Sequence, residues 1–346
     1  MPPATPRPVE RTAGGPRSPI TCRRLALLMA LPLLACAWWP RGAAAQQPAG
    51  PVKLIVGYPA GATSDAITRL VGEHMQRTLK QTVIVENKTG AGGMIANELV
   101  KAAPADGLTL LMTPVATMAI FPHSYGKELR YDPFKDFTPV AHLSNFQVGL
   151  AVAANVPAKT VAEYVAWVRQ DTQKNGFYAS AAAGSIPHFF GVLFAKASGI
   201  TLTHVPYKGT AAAMQALAAG EVSAVSTVVA DIKPLVAAGK ARLLAVAGEQ
   251  RDPGFPDVPT FRQVGYDLVA LPWYALFAPA GTPPAAVERL AQAAIAAVQD
   301  PALNRRLVEM GLEPTGLPPA RLGEVVKADF ERWGPPIRAS GFKPGL

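Results

Sequence analysis

Short continuous apolar runs alternate with amphipathic segments along almost the whole chain, and this alternation constrains the fold more than any other feature. VKLIVGY is followed by a stretch in which Ile67, Leu70, Val71, His74 and Met75 recur at i, i+3, i+4, i+7 and i+8, one face of a helix. VIVEN, a helical segment from about Met94 to Ala102, and TLLMT come next. QVGLAVAA, VAEYVAWVRQ, FYAS, a helix from His188 to Ser198, LTHVPY, TAAAMQALAAG, VSAVSTVV, IKPLVAAG and ARLLAVAG continue the pattern. Strands that are apolar throughout sit in sheets covered on both faces, which favours parallel pairing. The fold class is therefore α/β. The βα units are too many for one small sheet and show no eightfold closure. Two α/β lobes sharing a cleft is the economical architecture.

The tail has a different character. After YALFAPAG, Thr282 is placed to cap a helix with Pro283 in its first turn, and Val287, Leu290, Ala291, Ala294, Ile295 and Val298 form its apolar stripe. ALNRRLVEM reads as a second helix stopped by Gly311. A last helix is expected from about Pro319 to Trp333, with Leu322, Val325, Val326, Phe330 and Trp333 inward.

The first 45 residues read as a secretory signal peptide: Arg23-Arg24, then the apolar run LALLMALPLLACAWW, then PRGAAAQ, with cleavage expected after Ala45. That run is too short to span a bilayer, which takes about 20 apolar residues. The arginine pair hints at twin-arginine export. Leu33-Leu34-Ala35-Cys36 resembles a lipobox, so a lipid anchor at Cys36 is the alternative to a freely exported protein. Both cysteines, Cys22 and Cys36, lie in this leader, so the mature chain needs no disulfide and offers no thiol chemistry. The leader holds six Arg and one Glu; the remaining chain carries 27 basic and 23 acidic residues, a net charge of +4 against +9 for the whole. That modest surplus does not argue for nucleic acid and mildly favours an anionic small ligand.

Two stretches draw attention as sites. In YPAGATSDAI the first strand breaks into small residues before a helix start at Ser64-Asp65. Small side chains let backbone approach a ligand, and the first N–H groups of a helix suit a carboxylate. Ser64 or Thr63 is the expected cap, and Asp65 would satisfy the helix dipole, order the loop or meet an amine. A plain strand-to-helix turn explains the same residues equally well. YASAAAGSIPHFFG repeats the logic in the second half, with Ser180, Gly184 and Ser185 able to present N–H and O–H groups; His188 beside them reads as structural. Two such loops, one per lobe, would face each other across a cleft.

Other chemistry is hard to find. TGAGGMIAN has Ile95 where a dinucleotide loop needs its third glycine and follows the second strand, so it reads as a turn. The histidines His74, His123, His142, His188 and His204 show no metal-ligand spacing, and GSIPH is not a nucleophile elbow. Lys208, in the Tyr207-Lys208-Gly209 turn, could reach a carboxylate but reads more simply as solvated. No catalytic residue, metal or cofactor is expected.

The order of VGYPAGATSDAITRLV, VIVENKTGAGG, APADGLTLL, YDPFKDFTPV, VPYKG, AAGKARLLAVAG, PDVPTFRQVG and LFAPAGTP over nearly the whole mature chain resembles the Bug-type solute receptors, the substrate-binding components of tripartite tricarboxylate transporters. The resemblance implies a type II periplasmic-binding-protein fold: two lobes, a hinge crossed twice, and closure over one small carboxylate. It implies ligand contacts from Tyr58, Ala60, Gly61, Ala62, Ser64 and Asp65 in the first lobe. Ser180, Ala181, Gly184, Ser185 and His188 would contact the ligand from the second lobe. Thr113, Val115 and Thr117 match a third-strand loop that lines the cleft. This chain departs from the family's pattern at Ala60, Ala62, Ala181-Ala182-Ala183 and the Ser226-Thr227-Val228-Val229 rim. A less polar acid is the expected ligand, with Thr227 at the rim; an amino acid would miss an acidic partner there, for which Asp231 could compensate.

The resulting expectation is a periplasmic receptor with lobe 1 at 46–147 and 249–346 and lobe 2 at 148–248. Hinges are expected near Asn145–Gly149 and Gly248. The receptor would act as a monomer on a small carboxylate, with membrane permease subunits as possible partners and no nucleic acid. A secreted α/β hydrolase and an adhesive envelope protein are the alternatives.

Overall fold

A computed structural model describes residues 4–5 and 50–342. The export-signal and lipobox readings fall outside the described residues. In chain order the strands are β1 (Val52–Val56), β2 (Val83–Asn87), β3 (Thr109–Pro114), β4 (Phe137–Phe146), β5 (Val148–Ala153), β6 (Phe177–Ser180), β7 (Thr203–Pro206), β8 (Ala224–Val228), β9 (Ala241–Val246), β10 (Trp273–Pro279) and β11 (Leu312–Leu317). The longer helices are α1 (Thr63–Leu79), α2 (Met94–Lys101), α3 (Val161–Gln170), α4 (Ile186–Ser198), α5 (Thr210–Ala219), α6 (Val229–Ala237), α7 (Pro284–Gln299), α8 (Pro301–Glu309) and α9 (Pro319–Ala339).

The strands form two sheets, ordered β11-β4-β10-β3-β1-β2 and β7-β6-β8-β5-β9. The expectation of parallel pairing holds within β1–β3 and β6–β8 and fails elsewhere. β10 runs antiparallel to β3 and β4, β11 to β4, and β5 to β8 and β9. An unbroken apolar run reports burial on both faces, not direction. β5 is buried at every residue, yet it enters the second sheet straight from β4 through Gln147, and that crossing sets its direction. The return runs from Val246 to Trp273.

Both faces of each sheet are covered. On one face of the first sheet Leu54, Val56, Met112 and Leu276 pack with Ile67, Val71 and Met75 of α1 and Leu290 and Ala294 of α7. On the other, Ile55, Leu111 and Phe277 join a core that continues into the second sheet through Trp333 and Ile337 of α9. α9 is tied down by Trp273 Nε1, which donates to Asp329 Oδ2 at 2.7 Å, and by the 2.7 Å bond between His123 Nε2 and the Phe330 carbonyl. Before α3, Thr160 Oγ1 accepts from the Glu163 N–H at 3.1 Å and Glu163 Oε2 accepts from the Lys159 N–H at 2.6 Å, a reciprocal cap worth about 1 kcal/mol.

Three local expectations are corrected. Thr282 does not cap α7: its hydroxyl donates back to the Pro279 carbonyl at 2.8 Å and the N-cap is Pro283. α9 runs past Trp333 through Pro335 and Pro336 to Ala339, because buried Trp333 and Ile337 hold its last turns against the core. The loop after β3 is itself helical, over Ala116–Ile120 and Phe121–Ser124.

Candidate functional site

α1 opens on the carboxyl end of β1. Its N-cap is Ala62, in extended backbone with no side-chain cap, so neither Thr63 nor Ser64 caps it as the sequence suggested. The N–H groups of Thr63, Ser64 and Asp65 have no acceptor among the described residues. Ser64 is 3% exposed, and its hydroxyl also has no partner among the described residues. Buried backbone donors without acceptors are uncommon and need a partner. Together these groups form a donor set at the positive end of a 17-residue helix.

Asp65 does not spoil that end for an anion. Its Oδ2 accepts from the Gly61 N–H at 2.9 Å and from Arg69 Nε at 3.0 Å; its Oδ1 accepts from Asn87 Nδ2 at 2.8 Å and lies 2.9 Å from an Arg69 guanidinium nitrogen. Burial alone would raise this carboxyl. The bonds from Arg69, Gly61 and Asn87, with the Arg69 charge, outweigh burial and hold it at about 2. Asp65 thus orders the loop and is neutralised locally. The bond from Gly61 closes the turn at a positive φ of 85°, where a glycine is the residue without strain. Tyr58 donates from its hydroxyl to the Gly92 carbonyl at 2.9 Å and packs its ring on Gly93, which braces the loop from the second βα unit.

At the carboxyl end of β6 the donors are mostly spent. Ser185 is the N-cap of α4: its Oγ accepts from the His188 N–H at 3.3 Å and donates to the Ala182 carbonyl at 2.7 Å. Ser180 Oγ bonds the same carbonyl at 3.0 Å and His204 Nε2 at 2.7 Å. The Gly184 N–H donates to His188 Nδ1 at 3.1 Å, so that nitrogen carries no proton. His188 and His204 stack with centroids 3.9 Å apart. Burial holds His188 at about 4; burial and then the neighbouring His188 hold His204 at about 3, so both are neutral near pH 7. The N–H groups of Ala182 and Ala183 remain without acceptors among the described residues.

Residues 67–342 match the family model described as Tripartite tricarboxylate transporter family receptor. The chain belongs to that family. BugT of Bordetella pertussis is 30% identical over 299 residues, 86% of this chain and 91% of BugT. The structure of R. palustris Rpa4515 with adipate has a TM-score of 0.78 and 31% identity, covering 86% of this chain and 99% of that one. MatC (Rpa3494) from Rhodopseudomonas palustris with bound malate has a TM-score of 0.74 and 33% identity, covering 84% and 99%. The family is one of solute-binding receptors and not of enzymes, so the hydrolase alternative falls. The solved relatives are periplasmic binding proteins, and this receptor has their two-lobed α/β fold.

The residues singled out in sequence divide by what their groups are free to do. Tyr58, Ala60, Gly61, Ala62, Ser64 and Asp65 form the first loop, and Ser180, Ala181, Gly184, Ser185 and His188 the second. Thr113 and Thr117 are buried and bond each other at 2.6 Å; Thr117 also donates to the Pro114 carbonyl at 3.2 Å, so their protons are used internally. Val115 is a core residue at 1% exposure. Thr227 is buried on β8 opposite Gly149 of β5. Lys208 is exposed and makes no ion pair among the described residues, as its solvated reading requires. TGAGG forms a single 3₁₀ turn into α2, with no nucleotide motif.

The receptor also carries a crevice of about 430 Å³ beside the β4–β5 crossing, lined by residues that include Phe146, Gln147, Val229, Lys233, Asp252 and Leu312. None of the loop residues above lines it. Sequence reasoning missed Tyr274 altogether. It lies on β10 with its ring stacked on Phe146 at 4.7 Å, in the same cluster as Tyr58 and Val228. A tyrosine inside an apolar strand carries no sequence signal of which ring it stacks on.

Proposed function

We propose that this receptor binds a small carboxylate between the β1–α1 and β6–α4 loops, closes its lobes over it, and delivers it to a membrane permease. The observation that carries the reading is the uncapped start of α1, where Ser64 and Asp65 are buried: three N–H groups and the Ser64 hydroxyl stand without acceptors among the described residues, beside an acid already neutralised by Arg69. A carboxylate supplies the missing acceptors. Adipate and malate in the structures of Rpa4515 and MatC give the carboxylate class its support. In this reading the lobes are 46–147 with 249–346 and 148–248, hinged at Asn145–Gly149 and near Gly248. The protein works as a monomer in the periplasm after export by its leader. Among the described residues no helix is long and apolar enough to cross a membrane.

The test is thermal unfolding of the mature protein, stripped of carried-over ligand by unfolding and refolding, against mono-, di- and tricarboxylates. Ligand at about 100 times its dissociation constant adds roughly 2.7 kcal/mol of stability. A shift with at least one acid supports the reading. No shift with any acid overturns it.

A further inference from the structure

The crevice beside the β4–β5 crossing is walled by both passages of the chain between the sheets. The outward passage gives Phe146 and Gln147, the return gives residues 249–255 and Leu271, α6 gives its first turn, and the α8–β11 connection gives residues 308–314. It lies apart from the loops of the carboxylate reading. β4 ends on the same edge of the first sheet as β1 but three strands away, roughly 14 Å at ordinary strand spacing. Its volume of about 430 Å³ is that of a small-molecule site, and Phe146, Phe255, Met310 and Leu312 give it apolar walls.

Its polar groups are unequally spent. Arg251 is used elsewhere: its Nε donates to Gln263 Oε1 at 3.0 Å and a guanidinium nitrogen donates to the Pro256 carbonyl at 2.9 Å. Glu249 faces Arg262 at 4.0 Å, and Glu313 accepts a 3.5 Å bond from Asn145. Lys233 and Glu309 are exposed and make no hydrogen bond or ion pair among the described residues. Asp252 differs from all of these in being only 6% exposed. Its Oδ1 accepts from the Gly254 N–H at 2.8 Å, and its Oδ2 has no partner among the described residues. A Cβ on Gly254 would lie 3.1 Å from Asp252 Oδ1 and 4.0 Å from Lys233 Nζ, so the lysine stands near the oxygen that is already bonded, without an ion pair. Burial outweighs the Gly254 bond and the Lys233 charge and pushes the Asp252 carboxyl up. Gln147 Oε1 is also buried without a partner, while its Nε2 donates to the Gln250 carbonyl at 3.2 Å.

Both open positions are acceptors, and buried acceptors need donors. The strongest donor for a carboxylate is a charged one. Four acids and two bases line the crevice, which favours a cation over an anion. A water would serve an acceptor but would leave the negative surplus and the apolar walls unused. The rings of Phe146 and Phe255 suit an organic cation better than a bare metal ion. We propose that this crevice is a second binding site, for a small organic ammonium ion, with the ammonium on Asp252 and the apolar body against Phe146, Phe255 and Leu312.

Titration calorimetry on the stripped mature chain tests it with three molecules of one shape: 2-phenylethylammonium, 2-phenylethanol and 3-phenylpropionate. The ammonium is expected to occupy a single site and to bind about ten-fold or more tightly than the alcohol. Asp252→Asn keeps the Oδ1 acceptor for Gly254, and with it the fold, and should reduce the ammonium to the affinity of the alcohol. Lys233→Met removes the competing cation and should tighten the ammonium several-fold; it is the second variant if Asp252→Asn folds poorly. An ammonium that binds no better than the alcohol, a preference that survives Asp252→Asn, or a Lys233→Met variant that binds no more tightly than the parent would overturn the site. So would 3-phenylpropionate displacing the ammonium competitively, since both would then share one cleft. The carboxylate reading stands or falls by its own titration.

Discussion

Ala62 leaves the start of α1 without a side-chain cap, and three backbone N–H groups there have no acceptor among the described residues. The donors can be tested one at a time. Ala62 has φ −67° and ψ 157°, the conformation that a residue before proline prefers, and Thr63 is the first helical residue, where proline is well tolerated. Thr63→Pro should therefore leave the fold and its stability within about 0.5 kcal/mol of the parent while deleting one N–H. A hydrogen bond to a charged group is worth about 1.5–3 kcal/mol, so ligand affinity should fall at least ten-fold. Unchanged affinity by calorimetry would show that the helix start does not hold the ligand. Asp65 gives a second residue-scale prediction. Its folded-state value of about 2 lies below the roughly 3.9 of a free Asp, so its stabilisation is complete above about pH 4 and is lost as pH falls towards 2. The loss is on the order of 2 kcal/mol. Urea unfolding at about pH 5 and pH 2 should show that much less acid sensitivity in Asp65→Asn, together with lower stability at pH 5. Ordering the loop was one of the three roles the sequence offered for Asp65, and Arg69 lies one helical turn on from it; the bond from Asn87 was not legible, because only the fold brings β2 to the start of α1.

At the scale of elements, the strands and helices legible in the sequence are those with an unmixed signal. β1, β3, β5 and β9 are dominated by apolar residues, and α1 and α7 show their stripe at helical spacing. β4 and β11 were not legible: FTPVAHLSNF and LEPTGL contain Pro, His, Asn and Gly, and they become strands because β10 and β4 supply the ladders. The two candidate loops were legible as small-residue breaks, and the family resemblance suggested pairing them. Their internal hydrogen bonds were not legible, and the β6–α4 loop shows why. It is held by His204, which comes from the neighbouring strand β7, against His188. Both rings are held below the ordinary histidine value, so protons bind the unfolded chain first. Their contribution is complete above about pH 6.5 and is lost as pH falls through about 4. His142, also buried and held at about 4, adds to the same acid loss. His204→Phe keeps a stacked ring and removes one of these titrations. Its melting temperature should fall less steeply than the parent's between pH 6.5 and 4, and an unchanged slope would place the acid sensitivity elsewhere.

For the whole molecule, the two sheets do not rest on separate cores, and the last helix is the reason. α9 packs on β4 and reaches α4, and the apolar cluster around Trp333 and Ile337 runs from Ile55 of β1 to Val225 of β8. Beyond α9, Phe342 lies against the β6–α4 loop. Its ring would sit 3.2 Å from a Cβ on Gly184 and meets His188 and Phe189 edge-on at 5.2 and 5.3 Å. The chain end that is anchored on the first sheet by Asp329 and Phe330 thus braces the loop of the second. Phe342→Ala should have two effects with different origins. Removing a half-buried ring costs about 1–2 kcal/mol, seen as a fall of a few degrees in melting temperature. Releasing Gly184 and His188 leaves the loop to be ordered by the ligand, so affinity should fall several-fold, carried mainly by faster dissociation. Phe342→Leu refills most of the volume without edge-on ring contacts and should recover stability more fully than affinity. A variant that loses stability while dissociating at the parent's rate would show that the tail supports the core alone and that the loop holds its shape without it.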